Sequence, residues 1–203
     1  MNFDQATPEY VAAFREIIAR IQAAVAGNRK APREPLRIHV AGGAAAHFYT
    51  GARVSEDIDA TLSKRVLLPE NLEVSYRGKD GTPRLLYFDR QYNESLGLLH
   101  EDAYRDSVPI ELGGIDRRRV DLRLLSPTDL VVSKLARFHE NDRRDVAALA
   151  QAGLVHADAV RSRAEEALTG YIGGKGMVKA SIREACALIA ANAPGRTGGG
   201  RDP

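Results

Sequence analysis

The stretch IHVAGGAAAHFYTGARVSEDIDATLS, from Ile38 to Ser63, decides how the rest of the chain is read. Ile38, His39 and Val40 read as the end of a short buried strand, Gly42 and Gly43 as a tight turn, and Ala44 to Tyr49 as the first turns of a helix. Backbone N–H groups at such a turn have no partner inside the helix, and the missing side chains leave room for a phosphate. The chain then runs through Gly51 and Arg53 into Ser55, Glu56, Asp57, Ile58 and Asp59. Side chains alternate along a strand, so Asp57 and Asp59 share a face while Ile58 turns to the core. Two neighbouring carboxylates repel unless a cation lies between them.

Toward the N-terminus, Thr7 and Pro8 read as an N-cap and first helical residue, and Val11, Phe14, Ile17, Ile18, Ile21 and Val25 recur at helical spacing to about Gly27. A polar, proline-broken linker, Asn28 to Arg37, leads to the Ile38 strand. Beyond the aspartates, Asn71–Arg77 and Thr82–Arg90 read as strands joined by the turn Gly78–Gly81. If the second lies beside the Asp57 strand, Leu85, Tyr87 and Asp89 share a face and Asp89 reaches the aspartate pair.

Gln91 to Gly114 is mixed, with a short helix expected over Leu98–Tyr104, and Asp116–Ser126 alternates as a strand. Ser126, Pro127 and Asp129 read as an N-cap, first helical residue and capping-box acid for a helix carrying Leu130, Val131, Leu135 and Phe138. Asn141 is expected to cap the next helix, with Val146 and Leu149 on its buried stripe, and two more helices are expected over Ala157–Leu168 and Met177–Ala191. The expected architecture is α/β (α+β): a core over residues 1–125 with a small mixed sheet flanked by helices, a helical half over 126–192, and a glycine-rich disordered tail over 193–203.

Composition narrows the function classes. The chain has 203 residues, 44% hydrophobic, with a formal charge of +2, too small to argue by itself for nucleic acid. A lone cysteine, Cys186, permits no internal disulfide. No stretch approaches a membrane span and the N-terminus has no basic leader, so the expected location is cytoplasmic, with no membrane partner. His39, His47, His100, His139 and His156 show no paired metal spacing. His47 is expected to be structural, Arg117–Arg119 a solvated loop, and the segment around Lys175 a loop without phosphate-loop spacing.

The order of strand, Gly-Gly, helix, Arg-x-Ser-x-Asp-x-Asp, a later acidic strand, and a helical half containing SKLARFHENDRRDVAAL resembles the polymerase-beta-like nucleotidyltransferase superfamily. Within it the chain resembles the bacterial abortive-infection and toxin–antitoxin branch, over roughly Ile38 to Leu154. The resemblance implies that Gly42, Gly43 and Ser55 bind the nucleotide, that Asp57 and Asp59 bind metal, and that Lys134 contacts the nucleotide phosphates. Asp142 and Asp145 match acidic positions of the helical half; three apart, they share a helix face, where they would position Lys134 or Arg137 or orient the acceptor. Gly43 followed by Ala44 departs from the Gly-Ser usual at the turn. Asp89 is preferred as third carboxylate, with Asp121 the other candidate.

The implied activity is transfer of a nucleotide from an NTP, with Mg2+ (or Mn2+), to an RNA or protein acceptor, in a toxin-like role with a possible antitoxin partner. Asp57, Asp59, Asp89 and Lys134 would be catalytic. The alternative is a catalytically silent nucleotidyltransferase-like domain that binds a nucleotide or a partner protein.

Overall fold

A computed structural model describes residues 5–27, 34–93 and 97–194 of the 203-residue chain. The chain divides into two compact units, one comprising Met1–Asn93 and Tyr104–Leu125, the other Glu94–Ala103 and Ser126–Pro203. The described residues 97–103 group with the helical residues that follow Leu125.

In the first unit, α1 (Pro8–Gly27) buries Phe14, Ile17, Ile18, Ile21 and Val25 as the 3.6-residue periodicity marks out, with Tyr10 buried where Val11 is expected and Val11 itself half-buried. The Thr7 carbonyl accepts the Val11 N–H at 3.0 Å and opens the helix, as the Thr-Pro pair predicts. A four-stranded sheet has the order β3 (Ala60–Leu62), β1 (Leu36–Val40), β7 (Val120–Leu124), β6 (Val108–Pro109); β7 runs parallel to β1, and β3 runs antiparallel to it. A three-stranded sheet has the order β2 (Asp57–Ile58), β5 (Pro83–Phe88), β4 (Glu73–Arg77). The expected hairpin is β4–β5, turning through Gly78–Gly81 with Gly81 at φ +75°. Its second strand does lie beside the aspartate strand, in parallel, pairing Asp57 with Tyr87 and Ile58 with Phe88.

Between the sheets in sequence comes α2 (Gly42–Thr50), of which every residue from Gly42 to Tyr49 is buried. Alanines at 44, 45 and 46 let it pack closely, and its larger residues are fixed individually. Phe48 meets Phe14 edge-on at 4.9 Å, and the Tyr49 hydroxyl donates to the Leu125 carbonyl at 2.8 Å. Gly51, at φ +66°, ends the helix by donating its N–H to the His47 carbonyl.

The second unit is helical. In α3 (Pro127–Lys134), Ser126 accepts the Asp129 N–H at 3.1 Å, the cap that Ser-Pro-x-Asp predicts, and Asp129 in turn holds Arg163 of α5 (Ala157–Gly170) at 2.8 Å. The expectation that Asn141 caps the next helix is corrected. α4 (Glu140–Gln151) already contains Asn141, and the cap residue is His139, whose N–H donates to the Asp142 carboxylate at 2.9 Å. α4 and α5 both pack on α6 (Lys175–Asn192). α6 begins at Lys175, so Lys175, Gly176 and Met177 form its first turn and not a loop. No helix forms over Leu98–Tyr104; residues 101–105 are turns, with the Ala103 N–H on the His100 carbonyl. Linker residues 28–33 and tail residues 195–203 lie outside the described residues.

Candidate active site

The glycine pair is built differently from a simple turn. Gly42 is already the first residue of α2 and has φ +59°, a left-handed conformation that glycine adopts without strain. A side-chain carbon there would fall on the Asp59 carboxylate. At Gly43 such a carbon would lie 2.5 Å from Arg53 Nη2 and 2.5 Å from Ser55 Oγ. Space that reads in the sequence as room for a phosphate is therefore filled by three side chains of the segment leading into and through β2. The Ala41 N–H donates to the Asp59 carbonyl at 2.8 Å and fastens that segment to the mouth of α2.

Ser55 is buried, and its hydroxyl donates to Asp57 Oδ1 at 2.5 Å. Asp57 and Asp59 are only half-buried. Asp89 follows β5 directly, and its N–H donates to the Ile58 carbonyl at 3.1 Å, so its backbone sits alongside the aspartate segment. Its Oδ1 accepts the Gln91 N–H at 2.8 Å. Tyr87 reports on all three carboxylates. Its phenol is pushed above its ordinary pKa by burial first, then by Asp57, Asp89 and Asp59. Tyr10 is raised chiefly by burial, with Asp57 and Asp59 contributing, and its hydroxyl is buried without a hydrogen-bond partner.

Asp121, the other candidate third carboxylate, lies elsewhere. It is on β7, paired in register with Arg37, and is surrounded by Arg123 at 3.3 Å, Arg37 at 3.9 Å and Arg117 at 3.9 Å. Among the described residues, no group of three or more His, Cys, Asp or Glu stands ready to hold a metal ion. The donor chemistry nonetheless suits magnesium, which keeps several waters and is commonly bound by one or two carboxylates together with substrate phosphates. Asp57 and Asp59 are such a pair.

Lys134, Asp142 and Asp145 form a separate cluster inside the second unit. All three are buried, at 3%, 4% and 3% exposure. Lys134 Nζ donates to Asp145 Oδ2 at 2.8 Å and to Asp142 Oδ1 at 3.3 Å, and Arg137 adds an outer contact to Asp142 at 3.4 Å. The geometry comes from the α3–α4 junction. Phe138 has φ +43°, the one positive value outside glycine among the described residues, and Arg143 clamps it by donating to its carbonyl at 2.6 Å and covering its ring. A lysine that reads as a projecting positive charge is thus held by two carboxylates.

His47 is buried at the far end of α2. Its Nε2 accepts the Thr7 N–H at 3.2 Å, its ring meets Tyr10 at 4.7 Å, and burial lowers its pKa. The sequence places Tyr87 on the face of Asp89 and Arg53 in the segment that leads to the aspartates, without a task for either, and does not single out Tyr10. The available signals were the position of Arg53 two residues before Ser55 and that of Tyr87 two before Asp89.

Among the described residues, no helix is long and apolar enough to cross a membrane. No curated protein and no solved structure gives a significant match to the chain. The strand, the paired glycines, the Arg-x-Ser-x-Asp-x-Asp segment and the Lys134 cluster all fall within the region matched by one family model. Over residues 13–176 the sequence fits the family described as nucleotidyltransferase of unknown function (DUF6036), and the chain belongs to that family.

Proposed function

We propose that the chain is a metal-dependent nucleotidyltransferase, moving a nucleotide from an NTP to an RNA or protein acceptor, in a toxin-like role that an antitoxin protein would restrain. The observation that carries this reading is the packing of Asp59, Ser55 and Arg53 around Gly42 and Gly43 at the start of α2, with Asp57 hydrogen-bonded to Ser55. A metal–triphosphate ligand carries charge of both signs. Here carboxylates for the cation stand beside a guanidinium and helix N–H groups for the phosphates.

In the transfer, an acceptor hydroxyl gives up its proton to water, its oxygen bonds to the α-phosphorus, the bond from that phosphorus to the β-bridging oxygen breaks, and pyrophosphate leaves. Asp57 and Asp59 would hold the divalent cation, with Asp89 a third ligand. Mg2+ or Mn2+ supplies neutralisation of the triphosphate and a lowered acceptor pKa. Ser55 orients Asp57 through its hydroxyl. Lys134 stays tied to Asp142 and Asp145 within the second unit.

Two observations favour the silent alternative: Asp89 Oδ1 accepts the Gln91 N–H, and the described residues contain no ready three-carboxylate group. Incubation with each labelled NTP and Mg2+ against total RNA and total protein separates the readings. Label in either acceptor pool supports the enzyme. NTP binding without transfer to any pool supports the binding domain.

A further inference from the structure

We infer that Arg53 is a substrate-binding residue for the NTP triphosphate, and that position 43 is glycine because the Arg53 guanidinium and the Ser55 hydroxyl occupy the space a side chain would take. This rests on the nucleotidyltransferase reading and adds to it a phosphate ligand from outside the glycine turn. A carbon on Gly43 would lie 2.5 Å from both Arg53 Nη2 and Ser55 Oγ, so neither group keeps its place if residue 43 has a side chain.

Charge placement points the same way. The first turn of a helix carries partial positive charge, and a cation there is disfavoured unless anions compensate it. Arg53 nonetheless stands over the first turn of α2, a nine-residue helix, and it is only half-buried. Asp59 packs over Gly42 next to it, and Asp57 is tied to Ser55. When Asp57 and Asp59 face a divalent cation instead, the guanidinium and the helix N–H groups face the phosphates that accompany it. A guanidinium suits this task because its planar fork matches two phosphate oxygens at once. A purely structural Arg53 would serve only as counter-ion to the aspartates, and its loss would weaken every nucleotide alike.

The test is equilibrium titration of the full chain, with Mg2+, using the four α,β-methylene NTPs and the corresponding NMPs. Arg53→Ala is expected to weaken triphosphate binding by ~10-fold or more while monophosphate affinity stays within ~2-fold, and Arg53→Lys to recover part of the loss. Gly43→Ser supplies a second arm: it should lose triphosphate affinity as Arg53→Ala does, because the new side chain displaces both groups. Equal loss for mono- and triphosphates, no loss in Arg53→Ala, or retained affinity in Gly43→Ser overturns the inference. Should the unaltered chain bind no NTP, the nucleotidyltransferase reading falls with it. If Asp57→Asn abolishes transfer while Arg53→Ala binds triphosphates normally, only the Arg53 assignment fails.

Discussion

Two of the charge clusters among the described residues are built on opposite principles. Lys134, Asp142 and Asp145 are withdrawn from water and bonded to one another. Asp57 and Asp59 are half-buried around the start of α2, where Asp59 and Arg53 take up glycine space. Removing one member of a buried charge cluster strands its partners, whereas a half-exposed carboxylate can be neutralised with little effect on the fold. The first cluster should therefore answer mutation mainly in stability and the second mainly in chemistry.

The largest stability effect is expected for Lys134→Met, which leaves two buried carboxylates without their cation. About 3–5 kcal/mol should be lost in denaturant unfolding; a loss below about 1 kcal/mol would show that water reaches the cluster and would erase the contrast. Gly42→Ala comes next, at about 1–3 kcal/mol, because it forces a left-handed φ on an L residue and drives a methyl onto Asp59. If that variant is as stable as the parent, Asp59 moves away at no cost and the packing of the site is loose. Ser126→Ala should cost about 1 kcal/mol through the α3 cap alone, a calibration for ordinary losses in the second unit.

The smallest effect concerns pH. His47 is buried and its folded pKa lies below the ordinary 6.5, so as pH falls through 6.5 the unfolded chain takes up a proton before the folded one. Stability contributed by neutral His47 is complete above that value and declines below it, by at most about 1.4 kcal/mol per pH unit. His47→Gln should flatten that part of the profile. An unchanged slope would assign it to other groups.

What the sequence made legible was mostly local. Thr7-Pro8, Ser126-Pro127-Asp129 and Gly78–Gly81 each act on residues within a turn of themselves, and α1, α3 and the β4–β5 hairpin begin or turn where those residues stand. The placement of Asp89 beside the aspartate segment was also within reach, because alternation and a hairpin together fix which residues can meet; the parallel pairing of β2 with β5 was not. Longer-range effects escaped. A glycine pair reads as open space, and nothing nearby says that Arg53, Ser55 and Asp59 fold back to fill it. Contact of Lys134 with Asp142 and Asp145 is among the roles expected for that acidic pair, but the burial of all three is not legible, because it depends on a junction that Phe138 bends. Leu98–Tyr104 has helical spacing, yet it forms turns, with Leu98, His100 and Ala103 buried in the second unit.

The central claim is that the half-exposed carboxylates at the start of α2 act in chemistry and not in holding the fold. Asp57→Asn tests it most directly, with labelled-NTP transfer and denaturant unfolding measured on the same preparation. The account predicts that transfer in Mg2+ disappears while stability stays within about 0.5 kcal/mol of the parent. Full transfer by the variant, or loss of transfer only because the chain has unfolded, would contradict it.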